Sequence, residues 1–405
     1  MAIGQGVVQQ IRYKKQTAKG TLAGTTLGQI LRRESATFEL KRESYNTANE
    51  ITSTQQMVSS RLGVKDVAGS VKGILSPKAY SDFLGSLLRR DFAAVTAATA
   101  VSVTIAGTAP TYTITRAAGS YLTDGFKVGM VIRLSVGSLN AANISKNLLI
   151  VGLTALVATV MSVNGAALVA EGPITGTTIT ATGKVTYTPI TGHSNDYYTV
   201  ETWNSDVPSS EVNQDVQVAS ASLSLPGSGN AEIDFSFIGL DQTRSATVYF
   251  SSPTAETSTD TLVAASGLLL VNGTAQAVVT DLKVDIEGNV AAADGVVGSN
   301  VRPDVFRGKV LVKGSFTAYF DSTTIPNLFY SETETSLISV LSAGSSATAD
   351  FISISIPRIT INTDTPEDGE TGLKRTYSFE AEYLSTGGAG TAHQQSTIQL
   401  QDSQA

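Results

Sequence analysis

The chain has 405 residues, of which 41% are apolar and only 16% charged, with a formal net charge of −7. Cysteine is absent and histidine occurs only as His193 and His393, which excludes disulfides, thiolate chemistry and a three-histidine metal site. This length allows two to four domains with adequate cores, and the Gly-, Ser-, Thr- and Val-rich composition favours short strands over long charged helices.

Charge is distributed unevenly along the chain. Residues 1–95 hold 14 Lys and Arg against 7 Asp and Glu, a balance of 14 − 7 = +7. The remaining residues hold 28 − 14 = 14 Lys and Arg against 35 − 7 = 28 Asp and Glu, a balance of −14. A basic end and an acidic body favour head-to-tail self-association, although an ordinary solvated surface explains the same numbers equally well. Nucleic-acid binding fits less well, because the arginines lack interleaved aromatic residues.

The first predicted segment is a Gly-rich arm over residues 1–34, without clear periodicity. From Ala36 apolar and polar residues alternate as in a half-buried strand, and a second strand follows over 64–75. The polar residues 44–63 between them are more than a simple loop in a compact domain usually contains. They are interpreted as a hairpin that projects from the body, with a disordered loop as the alternative.

A short helix is predicted next, because Ser76 and Pro77 supply an N-cap and a first-turn proline. Five apolar residues then recur at helical spacing: Tyr80, Phe83, Leu84, Leu87 and Leu88. Such a stripe predicts packing against a sheet.

Residues 98–196 are predicted to form an inserted all-β domain, a small sandwich or barrel, because short alternating runs of Thr and Val are separated by frequent turns. Within it, 148–163 resembles a membrane span but is short for one. We interpret this stretch as two buried strands joined by a turn.

The insert divides the first domain, which is predicted to comprise residues 35–97 and 197–250. A Ser- and Thr-rich linker with a strand pair covers 251–277, and a second domain of the same kind covers 278–405.

Two stretches about 241 residues apart read as copies of one another. Lys41 and Lys283 differ by 283 − 41 = 242, and Lys72 and Lys313 differ by 313 − 72 = 241. These concordant offsets predict that one β domain occurs twice in the chain.

A third matched pair locates the insert. Phe237 and Phe379 differ by only 379 − 237 = 142, and the shortfall of 241 − 142 = 99 is the predicted size of the insert. A duplicated β domain with one interrupted copy favours a ring or array subunit over an enzyme.

Motifs for catalysis and metal binding are absent from the sequence. It contains no phosphate-binding loop, no His-Glu-x-x-His and no Gly-x-Ser-x-Gly. The acidic run at Asp364, Glu367 and Asp368 lacks the EF-hand register and predicts a hairpin turn instead of a calcium site. We therefore expect no enzyme activity, no cofactor and no metal.

The order of the predicted elements resembles a known family. A strand, a long polar hairpin, a second strand ending in Val71-Lys72-Gly73 and a helix begun by Ser76-Pro77 follow one another. This order is similar to that of the tail tube (major tail) proteins of long-tailed bacteriophages, particularly those with flexible, non-contractile tails. The resemblance covers both copies, about 300 of the 405 residues.

The resemblance implies a mainly β fold with two tandem tail-tube-like β-sandwich domains, each with a flanking α-helix, beside the small all-β insert. Adjacent copies would join their sheets into an inner barrel, and rings would stack through the long hairpin and the N-terminal arm. Because such rings are commonly hexamers of one-domain subunits, two copies on one chain imply a homotrimeric ring with pseudo-sixfold symmetry. The insert is expected to decorate the outside of the tube, or to make ring-to-ring or lateral contacts.

The resemblance also suggests residue roles. The family's acidic lumen lets double-stranded DNA slide without sequence-specific binding, and an outward orientation of the polar strand faces is the open alternative. The candidate lumen-facing residues are Glu39, Lys41, Glu43, Lys283, Asp285 and Glu287. The candidate inter-ring contacts are Lys14, Lys15, Ile51, Met57, Val58 and Arg61.

The expected function is that of a structural virion protein that polymerises into the tail tube, the conduit for DNA ejection. Its expected partners are further copies of itself, the tape measure, tail terminator and distal tail proteins, and the DNA that passes through, with no membrane. It would be assembled in the host cytoplasm and reside in the virion tail. The alternative is an Ig-like modular surface adhesin binding glycan or protein, which would normally carry a secretion signal or receptor-binding head. A metal-dependent enzyme is the least favoured hypothesis.

Overall fold

The computed structural model describes residues 3–46, 51, 53–57, 59–276, 278–370, 372–386 and 391–405. In these residues the chain forms 25 strands and two α-helices, and is therefore mainly β as predicted. The elements up to the insert are β1 (Gln9–Lys15), β2 (Gln29–Ile30), β3 (Ser35–Asn46), β4 (Ser60–Ile74) and α1 (Ser81–Leu87). The insert contains β5 (Ala98–Thr108), β6 (Thr111–Arg116), β7 (Val131–Ser135), β8 (Leu148–Leu153), β9 (Val157–Ser162), β10 (Glu171–Ala181) and β11 (Lys184–Tyr187).

The remaining strands and the second helix follow in chain order. The next four are β12 (Tyr198–Asn204), β13 (Ser209–Pro226), β14 (Glu232–Gly239) and β15 (Asp241–Ser245). Then come β16 (Val263–Val271), β17 (Thr274–Ala275), β18 (Val279–Glu287), β19 (Val290–Ala292), β20 (Val305–Arg307), β21 (Leu311–Tyr319) and α2 (Thr324–Tyr330). The last four strands are β22 (Thr335–Ser342), β23 (Phe351–Pro366), β24 (Lys374–Ala381) and β25 (Gln399–Asp402).

Two sandwich units share one strand order. Unit 1 has a back sheet of order β1-β12-β13-β15 and a wall sheet of order β3-β4-β14-β13. Unit 2 repeats this plan with a back sheet of order β16-β22-β23-β25 and a wall sheet of order β18-β21-β24-β23. In each unit one long strand, β13 or β23, belongs to both sheets. The repeated strand order confirms two tandem β-sandwich domains.

The two wall sheets form one continuous sheet. The second half of β13 pairs with β18 through seven residue pairs, from Ser220 opposite Glu287 to Pro226 opposite Asp281. We call this pairing the seam, and the eight strands β3-β4-β14-β13-β18-β21-β24-β23 the wall. Among the described residues, β3 pairs only with β4, and residues 363–366 of β23 pair only with β24. Both edges of the wall therefore lack a strand partner in the part of the chain that the structure describes.

The strand registers correct the alignment of the two copies. Lys41 lies opposite Asp66, which precedes Lys72 by six residues (72 − 66), whereas Lys283 lies opposite Ser315, which follows Lys313 by two (315 − 313). If Lys72 and Lys313 were equivalent, the residues opposite Lys41 and Lys283 would be eight positions out of register (6 + 2). The predicted equivalence of both lysine pairs was therefore wrong.

A packing feature supplies the correct alignment. Gly69 lies opposite Phe237 and Gly314 lies opposite Phe379, and an added Cβ at either glycine would come within 3.1 Å of that phenylalanine. These offsets are 314 − 69 = 245 and 379 − 237 = 142. The extra sequence in unit 1 is thus 245 − 142 = 103 residues.

The helix of unit 1 begins later than predicted. Lys78 has a φ of +69°, which is incompatible with a right-handed helix, so α1 begins at Ser81 and not at Pro77. The predicted apolar stripe is nevertheless buried in the core. Phe83 lies at its centre, with ring centroids 4.6–5.6 Å from four aromatic residues: Tyr13, Tyr198, Phe235 and Phe237.

The predicted N-terminal arm contributes a strand to unit 1. β1 pairs with β12, and its Ile11 and Tyr13 are buried in the core. Arg12 between them is also buried, 3.6 Å from the buried carboxylate of Glu201. Because both faces of β1 are covered, the polar–apolar alternation that reveals a half-buried strand is missing from its sequence.

The insert forms a closed barrel of order β10-β5-β6-β9-β8-β7. The stretch that resembled a membrane span forms β8 and β9, which confirms the two buried strands. The barrel packs on the back sheet of unit 2, where Leu270, Ile338, Val340 and Phe351 join its apolar core. The insert of one unit therefore covers the other unit of the same chain.

Gln401 on β25 joins the barrel to unit 2. Its buried side chain accepts a hydrogen bond from Val131 N at 2.7 Å and donates to Val131 O at 2.9 Å and to Thr182 O at 2.7 Å. One amide thus satisfies three backbone groups of the barrel.

Replacing this amide is expected to destabilise the fold. We expect Gln401→Leu to lower the free energy of unfolding by about 2–4 kcal/mol, because buried backbone groups lose their partners. Denaturant unfolding measures this, with the exposed Gln5→Leu as control. A loss below about 0.5 kcal/mol, the range of ordinary surface substitutions, would contradict the role of Gln401.

Candidate functional site

One face of the wall is polar across all eight strands. Side chains alternate along each strand, so the apolar residues lie on the core side and the polar residues on the other. We call this second side the polar face. It comprises Ser35, Thr37, Glu39, Lys41, Asp66, Ser70, Lys72, Ser220, Ser222, Ser224, Glu232, Asp234, Ser236, Asp281, Lys283, Asp285, Glu287, Lys313, Ser315, Thr317, Thr363, Thr365, Lys374, Thr376, Ser378 and Glu380.

The structure brings five of the six candidate lumen-facing residues onto this face. Glu39 and Lys41 lie on the edge strand β3, and Lys283, Asp285 and Glu287 lie on β18 beside the seam.

Glu43, the sixth candidate, follows a register shift in β3 and lies at the base of the long hairpin. Its carboxylate is 3.5 Å from Arg302.

The polar face carries more carboxylates than ammonium groups. Eight acidic residues and five lysines give an excess of 8 − 5 = 3 negative charges per chain. Four of the lysines pair with carboxylates of the same face: Lys72 with Glu232 at 2.8 Å, Lys313 with Glu287 at 2.6 Å, Lys283 with Asp285 at 3.2 Å and Lys41 with Glu39 at 3.6 Å. The fifth, Lys374, lies over the ring of Tyr319.

Three carboxylates of the face are not neutralised in this way. Within the described part of the chain, Asp234, Asp281 and Glu380 have no Lys or Arg at ion-pair distance. A surface of paired lysines and unpaired carboxylates presents a net negative potential to an approaching polyanion.

Short hydroxyl side chains fill the face between the charges. Ser220 and Ser236 are hydrogen-bonded at 2.6 Å, and at the seam Ser222 Oγ donates to Asp285 Oδ1 at 2.6 Å. The seam therefore joins units 1 and 2 by side chains as well as by the backbone ladder.

The β3–β4 hairpin extends beyond the rest of the wall. Its ladder continues to Asn46 opposite Ser60, whereas β14 pairs with β4 only as far as Val67. This ladder confirms the hairpin interpretation. Ile51, Met57 and Arg61 are exposed, and Val58 lies outside the described residues.

A loop of unit 2 supports the base of this hairpin. Lys65 N donates to Asn300 O at 2.8 Å, and Arg302 donates to both carboxylate oxygens of Asp66 and to Ala293 O. The role of Arg302 was not predicted, because its partner Asp66 is 236 residues away and no local sequence pattern indicates the pair.

The two lysines predicted as inter-ring contacts have partners within the chain. Lys14 Nζ donates to Thr26 O at 2.7 Å. Lys15 Nζ lies 3.0 Å from carboxylates of both Asp91 and Asp196.

The ranges described above contain no group of three or more His, Asp and Glu side chains placed to hold a metal ion. None of the described helices has the length and apolar character needed to cross a membrane.

A family model described as phage tail tube protein matches residues 6–381, which include the barrel and every strand of both sandwich units except β25. No curated protein matches the chain.

Proposed function

The chain belongs to the phage tail tube protein family, and from this membership we propose that it closes into homotrimeric rings that stack into the tail tube and conduct DNA during ejection. The family makes it a structural component of the virion tail that self-assembles with other tail proteins. Beyond this, we propose trimeric rings, their stacking and the passage of DNA. We also propose assembly in the host cytoplasm and contacts with the tape measure, tail terminator and distal tail proteins.

The observation that carries the proposal is the seam. Within one chain, β13 of unit 1 is joined edge to edge with β18 of unit 2. Each unit therefore has two complementary wall edges: its last wall strand, β13 or β23, and its first wall strand, β3 or β18. The corresponding strands at the outer edges of the wall, β23 and β3, lack partners among the described residues. Joining β23 of one chain to β3 of the next repeats the seam.

Burial at equivalent positions supports this junction. The 245-residue alignment of β4 with β21 places Ala36, Phe38 and Leu40 of β3 level with Leu282, Val284 and Ile286 of β18. The three residues of β18 are buried beside unit 1, whereas the three residues of β3 are only half-buried. A neighbouring chain on β3 would complete the burial and so favour association.

Three chains form the simplest ring of this kind. Each chain contributes two equivalent units, so three chains supply the six units of the hexameric rings that this family commonly forms. Such a ring has 3 × 8 = 24 wall strands in one closed sheet, and closure leaves no exposed strand edge.

The polar face would line the lumen. The other face of the wall carries the back sheets, both helices and the barrel, and this bulk fits only on the outside of a closed ring. With three excess negative charges per chain, a ring of three chains would present 3 × 3 = 9 excess negative charges to the phosphate backbone of DNA. Like-charge repulsion keeps the DNA from adhering to the wall.

Native mass spectrometry combined with negative-stain microscopy tests the proposal. We expect a ring mass of 3 × 42.2 = 126.6 kDa and hollow tubes built from such rings. A chain that stays monomeric at every concentration and salt would contradict ring formation and would favour the adhesin alternative. Rings of six chains would contradict the trimer.

A further inference from the structure

We propose that the N-terminal segment Ile3–Val8 of each chain caps the lower end of unit 2 in the adjacent chain of the ring. The lower end is the end of the wall where β21 finishes and β24 begins. This inference rests on the proposed ring, since the segment and its binding site meet only across a chain junction.

The structure contains a template for this cap within the chain. The segment that precedes β16 crosses the lower end of unit 1, where Leu262 N donates to Leu75 O at 3.0 Å and Ala231 N donates to Leu262 O at 2.9 Å. Leu262, Leu75 and Ala231 are all fully buried. The chain entering unit 2 thus closes the open end of unit 1.

The lower end of unit 2 has the same site without its cap. Leu75 N donates to Ala231 O in unit 1, and Phe320 N donates to Leu373 O at 2.9 Å in unit 2. The offsets, 320 − 75 = 245 and 373 − 231 = 142, equal those of the glycine–phenylalanine alignment. Phe320 and Leu373 are therefore the equivalents of Leu75 and Ala231.

These equivalent residues differ sharply in exposure. Leu75 and Ala231 are 0% exposed, whereas Phe320 is 39% and Leu373 is 56% exposed. The guanidinium of Arg375 lies 4.7 Å from the centroid of the Phe320 ring and leaves that ring partly exposed. Among the described residues, Phe320 O and Leu373 N form no hydrogen bond, although their counterparts hold Leu262.

The strand order identifies the segment that should bind there. β1 occupies the place in the back sheet of unit 1 that β16 occupies in unit 2, so the residues before β1 correspond to the residues before β16. These residues carry Ile3 and Val7, whose side chains are 85% and 87% exposed, and Gln5 N between them donates to Asp206 Oδ2 at 2.6 Å. If the junction between chains repeats the seam, unit 1 of the next chain lies beside unit 2 as unit 2 lies beside unit 1 within one chain. The Ile3–Val8 segment of that next chain then reaches Phe320 and Leu373.

The proposed cap has a defined chemistry. An extended or turn-like stretch would accept a hydrogen bond from Leu373 N and donate one to Phe320 O, and an apolar side chain would cover the exposed side chains of Phe320 and Leu373. This burial removes apolar area from water on both sides of the junction.

The test uses the full chain, a variant lacking residues 2–8 and the variant Leu373→Asp. We expect each change to raise the dissociation constant of the trimer by at least about tenfold, as measured by mass photometry or analytical ultracentrifugation. Combining the two changes should add little, because both remove the same contact. Val297→Asp, at an exposed apolar position outside the proposed contact, is the matched control and should leave the trimer unchanged.

Hydrogen exchange provides a second readout. The amide of Leu373 should be protected in rings of the full chain and unprotected in rings or monomers of the truncated chain. Thermal unfolding of the monomers should coincide, because residues 3–7 are exposed.

Each result has a distinct meaning. If the full chain forms no rings, the proposed function fails and the cap fails with it. If rings form but the truncated chain forms equally stable ones, or the Leu373 amide stays unprotected, the cap is wrong and the ring stands. Normal rings that no longer stack after truncation would likewise overturn the cap and place the segment between rings.

Discussion

A pair of cysteines, Thr365→Cys with Glu39→Cys, should convert the protein into covalent trimers. The seam defines this pair. Asp285 follows Val284, which lies opposite Gly314, just as Glu39 follows Phe38, which lies opposite Gly69.

The partner position follows in the same way. Ser222 lies opposite Asp234 and Thr365 lies opposite Thr376, and 376 − 234 = 142 is the offset that aligns Phe237 with Phe379. Because Ser222 faces Asp285 at the seam, Thr365 should face Glu39 of the next chain.

The chain is well suited to this experiment, because it has no native cysteine. Residues directly opposite in an antiparallel ladder have Cα atoms about 4.5–5.5 Å apart, which is within the range that a disulfide spans. After mild oxidation, non-reducing electrophoresis should show linked chains that end at three and return to one on reduction.

Thr365→Cys combined with Ser35→Cys serves as the register control. Ser35 lies on the same face four residues from Glu39, about 13 Å along the strand, and should not be linked. Crosslinks at the control position in place of Glu39, or a ladder ending at six chains, would contradict the proposed ring.

Shortening the long hairpin should abolish tubes while leaving rings intact. The change deletes residues 44–62 and joins Glu43 to Gly63 through an Asn-Gly turn, which suits a tight hairpin. It removes the part of the hairpin that extends beyond the rest of the wall and keeps the base held by Arg302 and Asp66.

Two measurements separate stacking from folding. Native mass spectrometry should still show the trimer, and microscopy should show rings without tubes. Ile51→Ser with Met57→Ser keeps the hairpin length while removing exposed apolar side chains, and should shorten the tubes less than the deletion does. Long tubes from the shortened chain would exclude the hairpin as the stacking element.

Local sequence patterns predicted much of the fold. Alternation identified the first strand of each wall sheet, because each has one buried and one polar face. The stripe at Tyr80, Phe83 and Leu84 predicted the packing of α1, although Lys78 delays the start of the helix. The short Thr- and Val-rich runs predicted an all-β insert, a small sandwich or barrel, and the structure has the barrel. The element order and the doubled pattern pointed to the family that the family model then matched.

The same patterns misaligned the two copies. Lysines on a polar face are under little packing constraint, so Lys41 and Lys283 matched by sequence although their ladders differ. Gly69 and Gly314 gave the true alignment, because an added Cβ at either glycine would come within 3.1 Å of the phenylalanine opposite it on the neighbouring strand. That constraint exists only between strands, so a single strand does not reveal it.

The sequence by itself determined the strand-rich class, the inserted all-β domain and the polar strand faces, since each of these depends on residues close together in the chain, and it determined the duplication because the same local pattern occurs twice. Only the tertiary structure decided the seam, the packing of the barrel on unit 2, the support of the hairpin by Arg302 and the open lower end at Phe320. The reason is physical: alternation records which side of a strand is buried, whereas strand pairing and capping join residues that lie hundreds of positions apart.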